Sequence, residues 1–169
     1  MTRGHGGRFL DFGRRIERGL SVLKLLQSAA AVEPAPAAVL EPVLEIADSV
    51  MTYRRRYFTA PRLGGVLDLL LRDETNPRAF IFQIQVLNEH ATALLTNTKT
   101  TGLATELDRI KSLLAALRGM AIKDLVAPST DRPSPELVDV LLTWAADLGG
   151  LSDQMTNRFF SHSLPRTSQ

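Results

Sequence analysis

The 169-residue sequence contains no cysteine. This absence excludes disulfide bonds, thiolate-bound metals and a cysteine nucleophile. No apolar run approaches the roughly 20 residues that a membrane-spanning helix needs. The first residues, "MTRGHGGRF", also lack the apolar segment of a secretory signal. We therefore expect a cytoplasmic protein that does not interact with a membrane.

A large excess of charge of one sign is also missing. The sequence has 20 Lys and Arg residues and 18 Asp and Glu residues, which leaves a formal net charge of +2. Nucleic-acid binding needs many unpaired cations on one face, so we expect no nucleic-acid partner. The 44% hydrophobic and 22% charged residues are typical of a globular protein. We predict a single domain over residues 1–169, with residues 161–169 as a frayed tail.

Alternation of apolar and polar residues, the signature of a strand, is rare, whereas apolar residues recur at helical spacing throughout. This pattern predicts an all-α bundle of about six amphipathic helices and no sheet. Five predicted helices span about Arg8–Ala31, Val39–Phe58, Leu63–Arg72, Pro77–Thr96 and Leu103–Leu125, and the sixth begins at Pro135 after a capping Ser134. The proline-rich segments "VEPAPAAVLEP" and "APSTDRPSP" interrupt the helical pattern.

Motifs for the common cofactors are incomplete. The glycine-rich "GHGG" precedes a helix and has no lysine, unlike a phosphate-binding loop. No two histidines lie four residues apart on a helix, as a common zinc site requires. A two-metal helical bundle uses Glu-x-x-His pairs, whereas Glu89 and His90 are adjacent. We expect no metal and no cofactor, and because no catalytic motif is complete, the composition does not identify the function.

The segment "FGRRIERGL" concentrates charge on the first predicted helix. Arg14 lies three residues before Glu17 and four before Arg18, so these side chains can meet along the helix. One interpretation is a solvated set of ion pairs, each worth a few tenths of a kcal/mol. A second is a partly buried network that fixes the register of the helix. A third is a preorganised site for a carboxylate or phosphate, which arginine binds bidentately.

Two further clusters carry charge. In "DETNPR", Asp73 and Asn76 can bond backbone amides at the start of the next helix. The positive charge of Arg78 is unfavourable near the N-terminus of a helix, because the helix dipole is positive there. We therefore expect Arg78 to have an acidic partner, such as Asp73 or Glu17. A helix-capping turn held by one salt bridge is the favoured interpretation. For "TYRRRY", a basic helix end with amphipathic tyrosines is favoured over a surface for an anion or a partner protein.

Four segments, in order, resemble the bacterial alpha-E domain family: "GGRFLDFGRRIERGL", "ADSVMTYRRRYF", "VLDLLLRDETNPRAFIFQIQVLNEH" and "LSDQMTNRFFSH". The first is similar to the family's Gly-Arg-x-x-Glu-Arg signature, at Gly13, Arg14, Glu17 and Arg18. The third is similar to its Leu-Asp-x-x-Asn-Pro-Arg turn, with Arg72 in the leucine position, followed by Asp73, Asn76, Pro77 and Arg78.

The resemblance has implications for function. A complete family member is about twice this length and carries the signature twice, so this chain resembles the second, C-terminal half. Family members resemble partners of circularly permuted ATP-grasp ligases and accompany transglutaminase-like proteases. Such systems make and break amide bonds in peptides. The resemblance therefore implies an accessory or substrate-binding helical module, with an ATP-grasp ligase and a transglutaminase-like protease as partners.

We expect six residues to form one polar network where the first and fourth predicted helices meet, and to bind an anion or a partner: Arg14, Glu17, Arg18, Asp73, Asn76 and Arg78. The alternative is an enzyme in which Glu17 or Asp73 is a general acid or base beside an arginine clamp. A neighbouring arginine lowers a carboxyl pKa, which counts against Glu17 as an acid. A third possibility is a structural scaffold whose helix register the network locks. Because a half-length chain leaves an apolar face unmatched, we also expect a homodimer or a bound partner.

Overall fold

The computed structural model of the protein describes residues 5–33, 35–97, 103–127 and 129–160. The predicted all-α fold is confirmed. The helices are α1 (His5–Ala30), α2 (Ala37–Ile46), α3 (Val50–Tyr57), α4 (Leu63–Leu67), α5 (Phe80–Asn97), α6 (Ala104–Gly119), α7 (Ile122–Leu125) and α8 (Pro135–Phe160). One π-helical turn, Asp68–Arg72, continues α4. Within the described residues, β pairing is limited to a bridge between Val126 and Pro133. The predicted frayed tail, residues 161–169, lies outside them.

Helix α1 is central to the bundle because it packs against both α5 and α8, while α6 packs against α5. The apolar face of α1 is buried at Phe12, Ile16 and Leu23. Phe80 of α5 stacks on Trp144 of α8 with ring centroids 5.8 Å apart. Gly19 permits α1 to lie close to α8, because a Cβ at this position would lie 2.8 Å from Cδ2 of Leu148. Burial of these apolar faces holds α1 in place and leaves its polar side at the surface.

The predicted helix Val39–Phe58 is wrong as one element, because it breaks between α2 and α3. Asp48 has a left-handed backbone conformation with a φ of 50°, which aspartate tolerates better than most residues. The buried hydroxyl of Ser49 donates a hydrogen bond to the carbonyl of Ala47 at 3.0 Å. This polar break turns the chain and places the Asp48 carboxylate beside the turn that precedes α5.

The predicted start of the fourth helix at Pro77 is also wrong, since α5 begins at Phe80. Residues before it form a turn centred on Asn76. The side-chain Oδ1 atom of Asn76 accepts a hydrogen bond from the backbone N–H of Arg78 at 3.0 Å. The main-chain carbonyl of Asn76 accepts one from the backbone N–H of Ala79 at 2.9 Å. A side chain that bonds its own local backbone competes with helix formation.

Of the other predicted helix boundaries, some are confirmed and some are wrong. The third helix has its predicted extent, Leu63–Arg72, although it becomes π-helical at Asp68. The predicted fifth helix, Leu103–Leu125, is two helices, because α6 ends at Gly119 and Met120 is extended, with φ −76° and ψ 137°. The predicted start of the sixth helix at Pro135 is confirmed.

Candidate functional site

The charged residues of the α1 signature lie at the surface. Arg14, Glu17 and Arg18 are exposed, and within the described part of the chain their side chains make no hydrogen bond or ion pair. Ser21 donates to the main-chain carbonyl of Glu17 at 2.8 Å, which does not involve the Glu17 carboxylate. Neither the expected Arg14–Glu17 ion pair nor a buried register-fixing network is present among these residues. Their charges face solvent and are accessible to a solute.

Asp73 and Asn76 shape the turn before α5, as expected of a capping turn. Asp73 Oδ1 accepts hydrogen bonds from the backbone N–H of Thr75 at 3.0 Å and from its hydroxyl at 2.6 Å. Asp73 Oδ2 accepts one from Arg56 at 2.6 Å. Asn76 is buried, and its amide donates to the carbonyl of Leu69 at 3.2 Å. These contacts account for both side chains structurally and join the basic end of α3 to the turn.

Arg18 and Arg78 line one cleft, which we call the Arg78 cleft. It has a volume of about 340 Å³, and its other lining residues are Ser21, Val22, Leu25, Ile46, Ala47, Asp48, Pro77 and Gln83. The Nη2 atom of Arg78 donates to Asp48 Oδ2 at 2.6 Å. Both side chains of this pair are well exposed, at 48% and 78%. A solvent-exposed ion pair is worth little, so Arg78 can exchange Asp48 for another carboxylate at small cost.

A second cleft, the His90 cleft, lies between the first half of α1 and α5. It has a volume of about 560 Å³ and is lined by Gly7, Arg8, Leu10, Asp11, Arg14, Arg15 and His90. His90 Nε2 lies 2.7 Å from Asp11 Oδ2. Arg15 donates to the same Asp11 oxygen at 3.4 Å and to Oε1 of Gln83 at 3.3 Å. Two helices therefore fix Arg15 and Asp11 in this cleft, while Arg14 lines it without such a partner among the described residues.

The electrostatics of the His90 cleft favour an ionised Asp11. The hydrogen bond from His90 is the largest cause that lowers the pKa of Asp11 below its ordinary value, and Arg15 adds to the effect. Partial burial opposes the change without reversing it. Asp11 consequently acts as an orienting carboxylate for His90 and Arg15, and its low pKa makes it a poor proton donor near neutral pH.

The buried side chain of Gln83 lies between the two clefts. It is 1% exposed, and it lines the Arg78 cleft while its Oε1 accepts the hydrogen bond from Arg15 of the His90 cleft. Its Nε2 donates to the carbonyl of Pro77 at 2.7 Å. One amide thus holds both an arginine of α1 and the turn that carries Arg78.

The expected single network of six residues is not what the structure contains. Arg18 and Arg78 come together in the Arg78 cleft, whereas Arg14 lines the His90 cleft. Asp73 pairs with Arg56, and Arg78 pairs with Asp48, so the expected Arg78 partners Asp73 and Glu17 are both wrong. Four residues that meet at the clefts were not predicted as site residues from the sequence: Asp11, Arg15, Gln83 and His90. The spacing of Asp11 and Arg15, four residues apart on one helix, was the available signal.

A third cavity lies elsewhere in the bundle. It has a volume of about 580 Å³ between α5, α6 and α8, and Trp144, Leu148 and Ile84 are among its lining residues. It shares no lining residue with either arginine cleft.

Within the described residues, no group of three or more His, Asp or Glu side chains has an arrangement that holds a metal ion. In the same part of the chain no helix is both long and apolar enough to cross a membrane.

The fold and the clefts define a class of protein, a helical bundle whose first helix presents arginines to two surface clefts. The family model of Alpha-E, described as a predicted alpha-helical domain with a conserved ER motif, matches residues 1–160. The chain belongs to the Alpha-E family. Glu17 and Arg18 form the only Glu-Arg dipeptide in the sequence, so the motif contributes Arg18 to the Arg78 cleft.

Similar curated proteins come from mycobacteria. Uncharacterised proteins of Mycobacterium bovis and of two strains of Mycobacterium tuberculosis are each 29% identical to this chain over 159 residues. The matches cover 92% of this chain and 18% of each relative. The chain therefore spans less than a fifth of the length of these relatives. No solved structure matches this chain.

Proposed function

We propose that this chain is a non-catalytic binding module of an ATP-grasp-type amide-ligase system, and that the Arg78 cleft holds a carboxylate on an apolar segment of a peptide. The observation that carries the proposal is the meeting of Arg18 and Arg78 in one cleft. These residues come from the two motifs that resemble the alpha-E signatures, 60 positions apart in the sequence. The ligase and the transglutaminase-like protease enter as partners through the family resemblance.

The composition of the Arg78 cleft fits a single carboxylate. Two guanidinium groups and the Asp48 carboxylate give the cleft one excess positive charge, which one bound carboxylate neutralises. Arginine donates two parallel hydrogen bonds to a carboxylate, a stronger arrangement than a neutral hydrogen bond. Val22, Leu25 and the exposed Ile46 provide apolar surface beside the arginines. A peptide that ends in a leucine offers both an apolar side chain and a carboxylate.

A catalytic role for the expected acids has less support. Both carboxylate oxygens of Asp73 already accept hydrogen bonds, one from Arg56 and one from Thr75. Neither oxygen is therefore free to exchange a proton with a substrate. Glu17 is exposed on α1, whereas a general acid needs a pKa raised by burial or by a like charge. A binding role needs only the exposed arginines, and it requires no proton transfer by Glu17 or Asp73.

The direct test is calorimetric titration of the 169-residue chain with a short peptide that ends in leucine. The free-acid peptide is expected to bind, and the same peptide with a C-terminal amide is not. Arg18→Ala and Arg78→Ala should each weaken binding by roughly tenfold or more, because a hydrogen bond to a charged group is worth about 1.5–3 kcal/mol. Arg55→Ala is the matched control, since Arg55 is an exposed arginine of α3 outside both clefts. Equal binding of acid and amide peptides contradicts the proposed carboxylate site.

The role in a ligase system is tested separately. Adding the chain to the cognate ATP-grasp ligase should lower the KM for a peptide substrate, and Arg18→Ala should remove this effect while Arg55→Ala keeps it. A KM that does not respond to the chain contradicts the accessory role, even where the free-acid peptide binds.

A further inference from the structure

The His90 cleft carries more positive charge than the Arg78 cleft. Among the residues that the structure describes, three arginines line it, and Asp11 is the one acidic residue of the lining. The three arginines and Asp11 together give this described lining an excess of two positive charges. Since one carboxylate carries a single negative charge, it would leave this cleft under-neutralised.

The arginines of the His90 cleft have different freedom. Arg15 is held by Asp11 and Gln83, and its side chain is 18% exposed. Arg8 and Arg14 line the same cleft, and among the described residues they make no ion pair. The cleft therefore combines one arginine fixed in advance with two that are available to close on a ligand. A preorganised group lowers the ordering cost of binding.

We propose that the His90 cleft binds a small phosphate monoester, a site separate from the carboxylate site of the proposed function. A phosphate monoester carries close to two negative charges at neutral pH and presents three acceptor oxygens. Arginine forks match this geometry and charge. The volume of about 560 Å³ lies within the range of small-molecule sites and exceeds what a phosphate group alone fills, so an organic group accompanies the phosphate. Leu10, which is 58% exposed at the rim, offers apolar surface to that group.

Isothermal titration of the full chain with phenyl phosphate tests this site, with inorganic phosphate and benzoate as comparison ligands at matched ionic strength. Phenyl phosphate is expected to bind most tightly and benzoate most weakly. Arg14→Ala should weaken phenyl phosphate binding by roughly tenfold or more, and Arg14→Lys should restore only part of the affinity because lysine lacks the bidentate fork. Arg55→Ala removes the same charge from another surface and should leave the affinity unchanged.

Several results would overturn the assignment. Equal binding of benzoate and phenyl phosphate contradicts a dianion site. An equal loss of phenyl phosphate affinity in Arg14→Ala and Arg55→Ala would show that the net charge of the protein, and not the cleft, determines binding. Binding to vesicles that contain phosphatidate, without binding to phenyl phosphate, contradicts a soluble ligand. Arg78→Ala distinguishes the two sites, because it should weaken binding of the free-acid peptide by roughly tenfold or more and leave binding of phenyl phosphate unchanged. Because Arg14 is exposed, a circular dichroism spectrum equal to that of the parent is expected of its variants.

Discussion

Gln83 of α5 accepts a hydrogen bond from Arg15 of α1 at 3.3 Å, although 68 residues separate them in the sequence. The same Gln83 amide donates to the carbonyl of Pro77 at 2.7 Å. Through these bonds a buried, uncharged side chain orients an arginine of the His90 cleft and the turn of the Arg78 cleft. The geometry of both proposed sites therefore depends on one residue that carries no charge.

Gln83→Leu should destabilise the fold. Leucine keeps much of the volume but leaves the carbonyl of Pro77 and the guanidinium of Arg15 without this partner, and an unsatisfied buried polar group costs about 1–3 kcal/mol. Urea unfolding of the variant and the parent measures this difference. Gln85→Ala is the control on the same helix, since Gln85 bonds the exposed Glu74. Equal effects of the two substitutions would show that Gln83 has no special structural role.

Removal of the Arg14 or Glu17 side chain should leave stability close to that of the parent. Both residues are exposed, and within the described residues their side chains make no hydrogen bond or ion pair. Arg14→Ala and Glu17→Ala should therefore each change the unfolding free energy by less than about 0.5 kcal/mol. Arg78→Ala removes an exposed pair worth about 0.2–1 kcal/mol. Chemical denaturation at neutral pH measures all three. Losses of about 3–5 kcal/mol would instead indicate a buried ion network.

Asp11 should make stability dependent on pH on the acid side. Its folded-state pKa is lowered by the hydrogen bond from His90 and by Arg15, so the unfolded state binds a proton more readily than the folded state. The stabilisation is complete above the ordinary aspartate pKa of about 3.9 and is lost as the pH falls through the lower folded value. Asp11→Asn should therefore be less stable than the parent at pH 7, and the difference should shrink below about pH 4.

Denaturation curves of the parent and Asp11→Asn, recorded from pH 7 to pH 2, measure this difference. The lowered pKa values of Glu74 and Glu136 are common to both proteins and cancel in the comparison. A stability difference that stays constant across this range would contradict the assigned role of Asp11.

Gly65→Ala should destabilise the junction of α3 and α4. A Cβ at Gly65 would lie 2.7 Å from the hydroxyl oxygen of the buried Tyr53, and overpacking of this kind costs about 1–3 kcal/mol. The neighbouring Gly64 is a matched control, because its nearest contact would be Oδ1 of Asp131 at 3.8 Å. Gly64→Ala should be neutral or slightly stabilising, since alanine favours a helix. Thermal unfolding of both variants distinguishes them, and an equal loss would contradict the Tyr53 contact.

The sequence predicts the fold well because apolar spacing determines which face of each helix is buried. The same reasoning fails at helix ends, where a few polar contacts decide the outcome. The left-handed backbone of Asp48 and the buried hydroxyl of Ser49 interrupt the predicted second helix, and no periodicity reveals either. The Asn76 turn likewise delays α5 beyond Pro77.

The residues that share the clefts were predicted in part. Motif residues identified Arg18 and Arg78, which share a cleft, and the favoured capping role of Asp73 and Asn76 agrees with their contacts. Partners across the bundle could not be predicted, because a contact such as His90–Asp11 depends on how α1 and α5 dock. Helical spacing gives the face of a residue and not the residue opposite to it.

A double-mutant cycle on the binding of a free-acid leucine peptide tests whether Arg18 and Arg78 bind one carboxylate together. Residues that act on the same group are non-additive. We expect Arg18→Ala, Arg78→Ala and the double variant all to bind weakly, and the double variant to lose less binding free energy than the two single losses together. Strictly additive losses, or tight binding by either single variant, would contradict a shared carboxylate.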